Sequence, residues 1–242
     1  MLTLAAVAGG VDAIGWLTLG HLFTAHMSGN GVGVTTHGAL GQWADVGRHA
    51  WAIGSFLVGL AAGATAATIA YRRSSRASFA GALALEAALL VALMTAGGSM
   101  GAGGAPRESS GSHLALVTLA AVAMGIQSAT LRRVGDVRVR TTYITGTLTR
   151  LVESAVQLAF LRRDRLRGRG GDPAEEAAVR RNVALLGSIP LCYAVGGGAS
   201  AWLERAIGMR ALALPIAAVV AAIVIDRRLA HAGVAGAGPE DG

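Results

Sequence analysis

Apolar blocks of membrane-spanning length dominate this sequence and restrict the folds open to it. Crossing about 30 Å of hydrocarbon takes roughly 20 apolar residues in a helix, since each residue advances the helix by about 1.5 Å. Hydrophobic residues make up 53% of the chain and charged residues only 14%, whereas a soluble domain carries about 25% charged residues. The chain is therefore predicted to be an all-α polytopic membrane protein. Six blocks are predicted to be full spans: 2–20, 50–71, 78–97, 113–131, 181–203 and 210–226.

Two further blocks, 22–40 and 141–161, are long enough to cross a membrane but contain polar residues. The first contains histidines, Asn30 and several glycines, and the second contains Arg150 and Glu153. An ionised residue at the bilayer centre costs about 2.5–3.5 kcal/mol on insertion scales. Both blocks are therefore predicted to be broken or re-entrant segments, giving six transmembrane helices plus two such segments. Eight full spans are the alternative.

The placement of the arginines supports this interpretation for block 141–161. If that block enters and leaves on one side, 16 arginines share a side and 4 lie opposite; if both polar blocks cross, the split is 11 to 9. Cytoplasmic loops carry an excess of basic residues, so the first arrangement is favoured. It predicts a protein of the bacterial inner membrane with its C-terminus on the cytoplasmic side. The count does not test block 22–40, because no arginine precedes it.

A diverged internal repeat relates the two parts of the chain. Gly10-Val11-Asp12-Ala13 and Met27-Ser28-Gly29-Asn30 match Gly125-Ile126-Gln127-Ser128 and Ile144-Thr145-Gly146-Thr147, and Phe56 to Gly59 match Tyr193 to Gly196. The repeat predicts one transmembrane domain over 1–228, with half one at 1–97, half two at 113–228 and a disordered tail at 229–242. Three spans in each half would turn the second half upside down, as in many transporters.

The hydroxyl-glycine segments of the two polar blocks are the first candidate sites. Glycine permits a break in a helix, and Ser, Thr or Asn can cap the helix that starts after it. Two such helix ends meeting near the midplane would offer amides and hydroxyls to a solute; the alternative is a structural break without a ligand. The substrate-binding candidates here are Ser28, Gly29, Asn30, Thr145, Gly146 and Thr147.

Polar residues inside the predicted spans are the second set of candidates. A carboxylate in lipid is costly and is usually paired or functional. Asp12 could bind a proton, a cation or a solute hydroxyl, or brace the neighbouring break, and Gln127 holds the matching place in half two. Glu86 could be a proton site, or could pair with Arg73 or Arg76 near the end of its span.

No metal, cofactor or nucleic acid is predicted. His21, His26 and His37 have spacings that match no compact ligand motif. The net charge of +7 comes from arginines beside the apolar blocks, so anionic lipid headgroups are the expected contact for the basic segment 162–181. Arg150 and Glu153, three residues apart on a helix, are predicted to neutralise each other. No nucleophile lies in a pattern with a histidine and a carboxylate, and the chain is predicted not to be an enzyme.

These motifs together resemble a known family. The pattern Gly-x-x-Asp12-Ala13, the segment Ser28-Gly29-Asn30, the run Met124 to Ala129 and the run Thr141 to Gly146 are similar to those of the YoaK-like family. That family consists of small bacterial inner-membrane proteins in a domain-of-unknown-function group. The resemblance covers nearly the whole chain, with Ser28 where threonine is commoner. It implies a multi-spanning membrane protein and brings no established substrate.

Two functions are compatible with these observations. The first is a small-solute transporter or channel whose central site lies at the two hydroxyl-glycine breaks. The second is a non-transporting scaffold that binds lipid or a partner through the basic segment 162–181. The sequence leaves open the identity of the solute, the coupling ion and whether a homo-oligomer is the working unit.

Overall fold

The computed structural model describes residues 1–73, 80–101, 111–129, 132–134, 137–139, 144–168 and 172–235. A 3₁₀ helix, Gly208–Leu212, joins the last two α-helices, and strands β1 (Arg132–Val134) and β2 (Val137–Val139) pair as a short antiparallel hairpin. The α-helices are α1 (Leu2–Thr18), α2 (Met27–Ala39), α3 (Trp43–Arg73), α4 (Ala80–Gly101), α5 (Gly111–Ala129), α6 (Ile144–Leu166), α7 (Pro173–Ile207) and α8 (Ala213–Ala235).

Four stretches of the described chain are long and apolar enough to cross a membrane: Trp43–Ile69, Ala80–Gly98, Gly111–Ala129 and Pro173–Arg228. The last is 56 residues long and includes α7, the 3₁₀ helix and α8, so it has the length for two crossings. Helix α1 is apolar and has 17 residues, whereas α2 has only 13. The structure is thus a polytopic helical one. Helices α2 and α6 are not among the stretches that are both long enough and apolar enough to cross a membrane.

Three helix boundaries differ from the predicted blocks by seven residues or more. Helix α3 begins at Trp43 instead of residue 50, and α8 continues to Ala235. Residues 229–235 of the predicted disordered tail are therefore helical, and the rest of that tail, 236–242, lies outside the described residues. Helix α7 begins at Pro173 because Asp172 caps it, accepting a hydrogen bond from the Ala174 amide at 2.8 Å. Proline in the first turn and an acidic cap favour a helix start at this position. The basic segment 162–181 is therefore largely helical.

Two helix pairs, α1 with α7 and α3 with α5, have the most extensive contacts in the described chain. In the first pair, a side chain on Gly9 would collide with the carbonyl oxygen of Tyr193, and one on Gly196 with the carbonyl oxygen of Ala6. Small residues at a helix contact allow two backbones to approach this closely. At these glycines the two backbones meet directly.

The second pair repeats these contacts residue for residue. A side chain on Gly125 of α5 would meet the carbonyl oxygen of Phe56, and one on Gly59 of α3 would meet that of Val122. In this packing Gly125 takes the place of Gly9, and Gly59 that of Gly196. Each close pair is made of one helix from each predicted half.

The order of contacts gives the direction of the helices. In α1 and α7, residues early in one helix face residues early in the other, from Ala5 beside Ile189 to Gly10 beside Ser200. In α3 and α5 the contacts likewise advance together, from Trp51, whose Nε1 donates to Thr118 Oγ1 at 2.8 Å, to Gly63 at Ile126. Both pairs are therefore parallel.

Helices α1 and α5 approach each other by opposite ends. Gln127, near the end of α5, donates from Nε2 to the carbonyl oxygen of Leu4, near the beginning of α1, at 2.7 Å. Helix α4 packs on α5, α8 and the 3₁₀ helix, and α8 also packs on α1.

Helices α2 and α6 each form a hairpin with the first part of the helix that follows. Gly33 of α2 lies against the His49 ring of α3, and Gly187 of α7 lies against Leu151 of α6. Helices α3 and α7 have 31 and 35 residues, which corresponds to about 46 and 52 Å at 1.5 Å per residue. Both exceed the hydrocarbon thickness of about 30 Å, so part of each helix extends past the apolar layer.

Candidate functional site

Asp12 is the centre of the most highly connected polar cluster in the described chain. It lies on α1 with 2% of its surface exposed. Its Oδ1 accepts hydrogen bonds from the Thr24 amide at 2.6 Å, the Thr24 hydroxyl at 2.9 Å and the Ala25 amide at 2.7 Å. One carboxylate oxygen thus holds the segment that follows α1 back against that helix.

The other oxygen of Asp12 joins two different parts of the chain. Its Oδ2 lies 2.5 Å from His26 Nδ1 and accepts from the hydroxyl of Tyr193 at 2.9 Å. His26 precedes α2 in half one, whereas Tyr193 belongs to α7 in half two. Asp12 therefore links the segment between α1 and α2 in one half to helix α7 of the other half.

The chain reverses direction between α1 and α2. Gly20 and His21 have positive φ angles of 71° and 58°, a conformation that glycine adopts freely and histidine seldom. Residues 24–26 thereby come back beside Asp12, and α2 starts there instead of at the end of α1. The chain thus leaves α1 after Thr18, reverses at Gly20 and His21, and returns to Asp12.

The side-chain cap expected from Ser, Thr or Asn at the first break is absent from α2. His26 occupies the N-cap position of α2 without a side-chain hydrogen bond to the helix, and Ser28 is exposed. The amides of Thr24 and Ala25 are bonded instead to Asp12, and that of Phe23 to Asn30 Oδ1 at 3.1 Å. Side chains from α1 and from within α2 thus bond the segment that leads into α2 and not the first turn of that helix. Gly29 lies directly under the Phe23 ring.

A groove of about 440 Å³ opens beside this cluster, between α1 and α7. Its walls are mainly apolar, and Asp12 lies at its polar end. The wall residues that matter here are Trp16, Leu17 and Phe23 from half one and Tyr193, Ala194 and Ala201 from α7. The groove is large enough for a small organic molecule.

The two predicted helix ends do not meet. Helix α2 begins beside Asp12, whereas Ile144, the first residue of α6, packs with Ala5 and Ile189. Asp12 and Ala5 are seven residues apart on α1, or about 10 Å along its axis. Thr145, Gly146 and Thr147 therefore lie in the first turn of α6, away from Asp12.

Gln127 does not hold the position that matches Asp12. The glycine contacts pair Gly125 with Gly9, so the residue that corresponds to Asp12 is Ser128, and Gln127 corresponds to Val11. The sequence landmarks Gly10 and Gly125 misplaced the match by one residue, because half one has two adjacent glycines and half two has one. Gln127 bonds to Leu4 and belongs to the contact between α1 and α5.

The remaining candidates lie elsewhere. Glu86 is on α4, and none of the residues bonded to Asp12 belongs to the elements that α4 packs against. Arg150 and Glu153 are both exposed on α6. Arg76, a predicted partner of Glu86, lies outside the described residues.

The three histidines considered for metal binding occupy separate places. His21 contacts the edge of Trp16, His26 contacts Asp12, and His37 stacks on His49 with ring centroids 5.3 Å apart. Across the described ranges, no group of three or more His, Cys, Asp or Glu side chains could hold a metal ion.

Three residues of the Asp12 cluster were not predicted as site residues. Thr24 and His26 lie in the segment preceding α2, where histidine was weighed only as a metal ligand. Tyr193 was recognised as a repeat landmark matching Phe56, and the hydroxyl that distinguishes the two was the available signal. Its position 181 residues from Asp12 in the chain hides the contact from local patterns.

Comparisons with known proteins show the family and the membrane class of this chain. The family model described as "Protein of unknown function (DUF1275)" matches residues 1–225. The chain is 31% identical over 166 residues to the UPF0700 transmembrane protein YoaK of Bacillus subtilis (strain 168), covering 67% of this chain and 68% of that protein. No solved structure matches the chain.

Proposed function

Since this chain belongs to the DUF1275 family of membrane proteins, whose description assigns no activity, we propose from its site that it is a carrier or channel for a small solute. It is not an enzyme in this proposal. The protein is an integral, multi-pass membrane protein with apolar helices in contact with the bilayer. The supporting observation is the junction at Asp12, where both halves bond to one buried carboxylate beside an open groove.

The helix directions support two inverted halves. Helices α3, α4 and α5 alternate in direction, so α5 is parallel to α3. If α2 and α6 both return to the side from which they start, α1 is antiparallel to α5 and parallel to α7. These are the directions indicated by the Leu4–Gln127 contact and by the glycine contacts of Gly9. A full crossing by only one of α2 and α6 would make α1 antiparallel to α7. The proposed architecture is thus six spans plus two non-crossing helices.

The same glycine contacts in both pairs favour a pseudo-two-fold relation between the halves. Inverted repeats of this kind place solute sites where discontinuous helices meet the partner half. In this chain the break between α1 and α2 meets α7 through the Tyr193 hydroxyl. That is the expected place for a site whose access changes when one half moves against the other.

The groove favours one kind of solute. Trp16, Leu17 and Phe23 provide apolar surface. The Tyr193 hydroxyl donates a hydrogen bond to Asp12, and its oxygen can at the same time accept one from a solute. A small molecule with an apolar body and one hydrogen-bonding group matches both features. The bacterial inner membrane and a cytoplasmic C-terminus remain part of the proposal because of the arginine distribution.

A steric variant tests the groove without removing its polar groups. Ala194 and Ala199 are both exposed on α7, but only Ala194 lines the groove. A thermal-shift screen of apolar amines, alcohols and carboxylic acids identifies a binder, because ligands of the folded state raise its stability. Flux of that compound into proteoliposomes should be lost in Ala194→Leu and retained in Ala199→Leu. Equal flux in both variants would contradict the assignment of the groove.

The alternative is a scaffold that acts through the basic end of α6. Arg163 and Arg167 are exposed there, while Arg165 bonds to Glu176 at 3.1 Å and leaves part of its surface free. This alternative predicts that Ala194→Leu is harmless. It also predicts that Arg163→Gln with Arg167→Gln abolishes binding of the detergent-solubilised protein to vesicles rich in anionic lipid.

A further inference from the structure

Glu86 is a carboxylic acid enclosed in an apolar helix contact. It lies in the buried stripe of α4, where positions three and four apart face the same side of the helix. The stripe consists of Ala80, Leu83, Glu86, Leu90, Leu93 and Gly97. Gly97 packs on Met209 of the 3₁₀ helix, and α4 as a whole packs mainly on α5 and α8. Glu86 is therefore located where half one meets half two.

Neither oxygen of Glu86 has a hydrogen-bond partner in the described chain, and the residue is 0% exposed. The elements packed on α4 carry few charged or titratable groups, and none of them bonds to Glu86. Among the described side chains those groups are His113 on α5, Arg210 in the 3₁₀ helix, Asp226, Arg227 and Arg228 on α8, and Asp45, Arg48, His49 and Arg72 on α3. By sequence, α3 also contains Tyr71 and Arg73, and α8 contains His231. An isolated carboxylate in apolar surroundings is so costly that the group takes up a proton instead.

A metal ion or sodium does not fit this position. Hard cations are held by several oxygen ligands at once, whereas Glu86 is flanked by leucines in its stripe and joins no cluster of ligands among the described side chains. A proton needs only the carboxyl group itself.

We infer that Glu86 is a proton-binding site at the contact between the halves and that it couples proton movement to the solute movement proposed above. In the closed arrangement the carboxyl group is neutral. When the contact opens to water on one side, the O–H bond breaks and the proton passes to water, leaving a hydrated carboxylate. The carboxylate takes a proton from water when the contact opens on the other side. This inference rests on the proposed transport function for its coupling step but not for the protonated state.

Infrared spectroscopy tests the protonated state without knowledge of the solute. Wild-type protein in liposomes should show a carbonyl stretch of a protonated, non-hydrogen-bonded carboxyl group at neutral pH. Glu86→Gln should lose that band, whereas Glu153→Gln, which changes an exposed glutamate on α6, should retain it. A wild-type spectrum without the band, or a Glu86→Gln spectrum that keeps it, overturns the inference.

Transport measurements test the coupling step. With a solute identified by the thermal-shift screen, wild-type flux should depend on an imposed pH gradient, and an enclosed pH-sensitive dye should report proton movement. Glu86→Gln and Glu86→Leu should both lose the pH dependence and the dye response. Retained proton movement in either variant overturns the coupling role. An absence of flux in all proteins, including wild type, would argue against the proposed transport function and remove the coupling step, while the infrared result still decides the protonated state.

Folding is checked with the same variants. Glu86→Leu replaces an unpartnered buried polar group by an apolar one of similar size, so its thermal midpoint should be equal to or higher than that of the wild type. A Glu86→Leu protein that is more stable yet has no proton response shows that the acid is retained for function. A Glu86→Leu protein that is less stable than the wild type contradicts the absence of a polar partner.

Discussion

The junction of α1 with α7 and the junction of α5 with α3 have the same backbone contacts but different polar chemistry. Gly9 meets Tyr193 in the first, and Gly125 meets Phe56 in the second. In the first, Asp12 and the Tyr193 hydroxyl are bonded to each other; at the corresponding positions of the second stand Ser128 and Phe56. Close packing therefore does not depend on the polar bond. Glycines set the distance between the helices at both junctions, whereas a carboxylate is present at only one of them.

The largest expected effect comes from the glycines that the two junctions share. Gly9→Leu and Gly125→Leu each place a side chain against a backbone carbonyl that cannot move aside. Both should lose more than about 4 kcal/mol of folding free energy, the range of severe overpacking. The measurement is folded yield and SDS-induced unfolding followed by circular dichroism. Gly198→Leu, at a position with open space, is the control. Tolerance of leucine at only one junction would show that the two are not equivalent.

Removal of the carboxylate should distinguish the junctions. Asp12→Ala leaves the donors of Thr24, Ala25 and Tyr193 without their acceptor. Each buried donor left without a partner costs about 1–3 kcal/mol, so Asp12→Ala should cost at least about 3 kcal/mol, whereas Ser128→Ala should cost roughly 1 kcal/mol, the net value of a typical hydrogen bond. SDS unfolding curves of the two variants give the comparison. Equal losses would mean that Asp12 contributes no more than its counterpart.

Exchange of the two aromatic residues sharpens the contrast. Tyr193→Phe removes one hydrogen bond to Asp12 and should lower stability by about 0.6–1.7 kcal/mol, the range measured between membrane helices. Phe56→Tyr adds a hydroxyl to the junction that lacks the carboxylate, and it should give no gain in stability. A double-mutant cycle of Tyr193→Phe with Asp12→Asn measures the coupling directly. Zero coupling would contradict the bond between these side chains.

The smallest expected effect tests a polar contact found in the second junction. Trp51 donates to Thr118 near one end of the α3–α5 pair, with half of the tryptophan surface exposed. Trp51→Phe keeps the aromatic body and should cost about 0.6 kcal/mol. Thr118→Val should cost a similar amount, and the double variant should cost no more than either alone. Additive losses would show that the two side chains act independently.

Sequence patterns predicted the helical membrane class and the family well, because span length and motif order are local properties. They misplaced features that depend on contacts between distant segments. Ser, Thr or Asn was expected to cap the helix after the break, but the bonds found there hold the preceding segment instead, with Asp12 and Asn30 as the acceptors. Gln127 was matched to Asp12 because identity alone cannot choose between Gly9 and Gly10 as the landmark. The Tyr193 contact with Asp12 became visible only when the helices were packed.

The parallel pairing of α1 with α7 has a consequence for synthesis of the protein. Asp12 and Tyr193 are 181 residues apart, and a ribosome adds about 5–20 residues per second, so α1 waits roughly 10–35 s for its partner. During that interval α1 lies in the membrane while its carboxylate and its glycine-lined face are not yet covered by α7. Neither half can complete its fold before the other has been made. A separately expressed half one is therefore expected to be a substrate for membrane quality-control proteases, and co-expression of half two should rescue it.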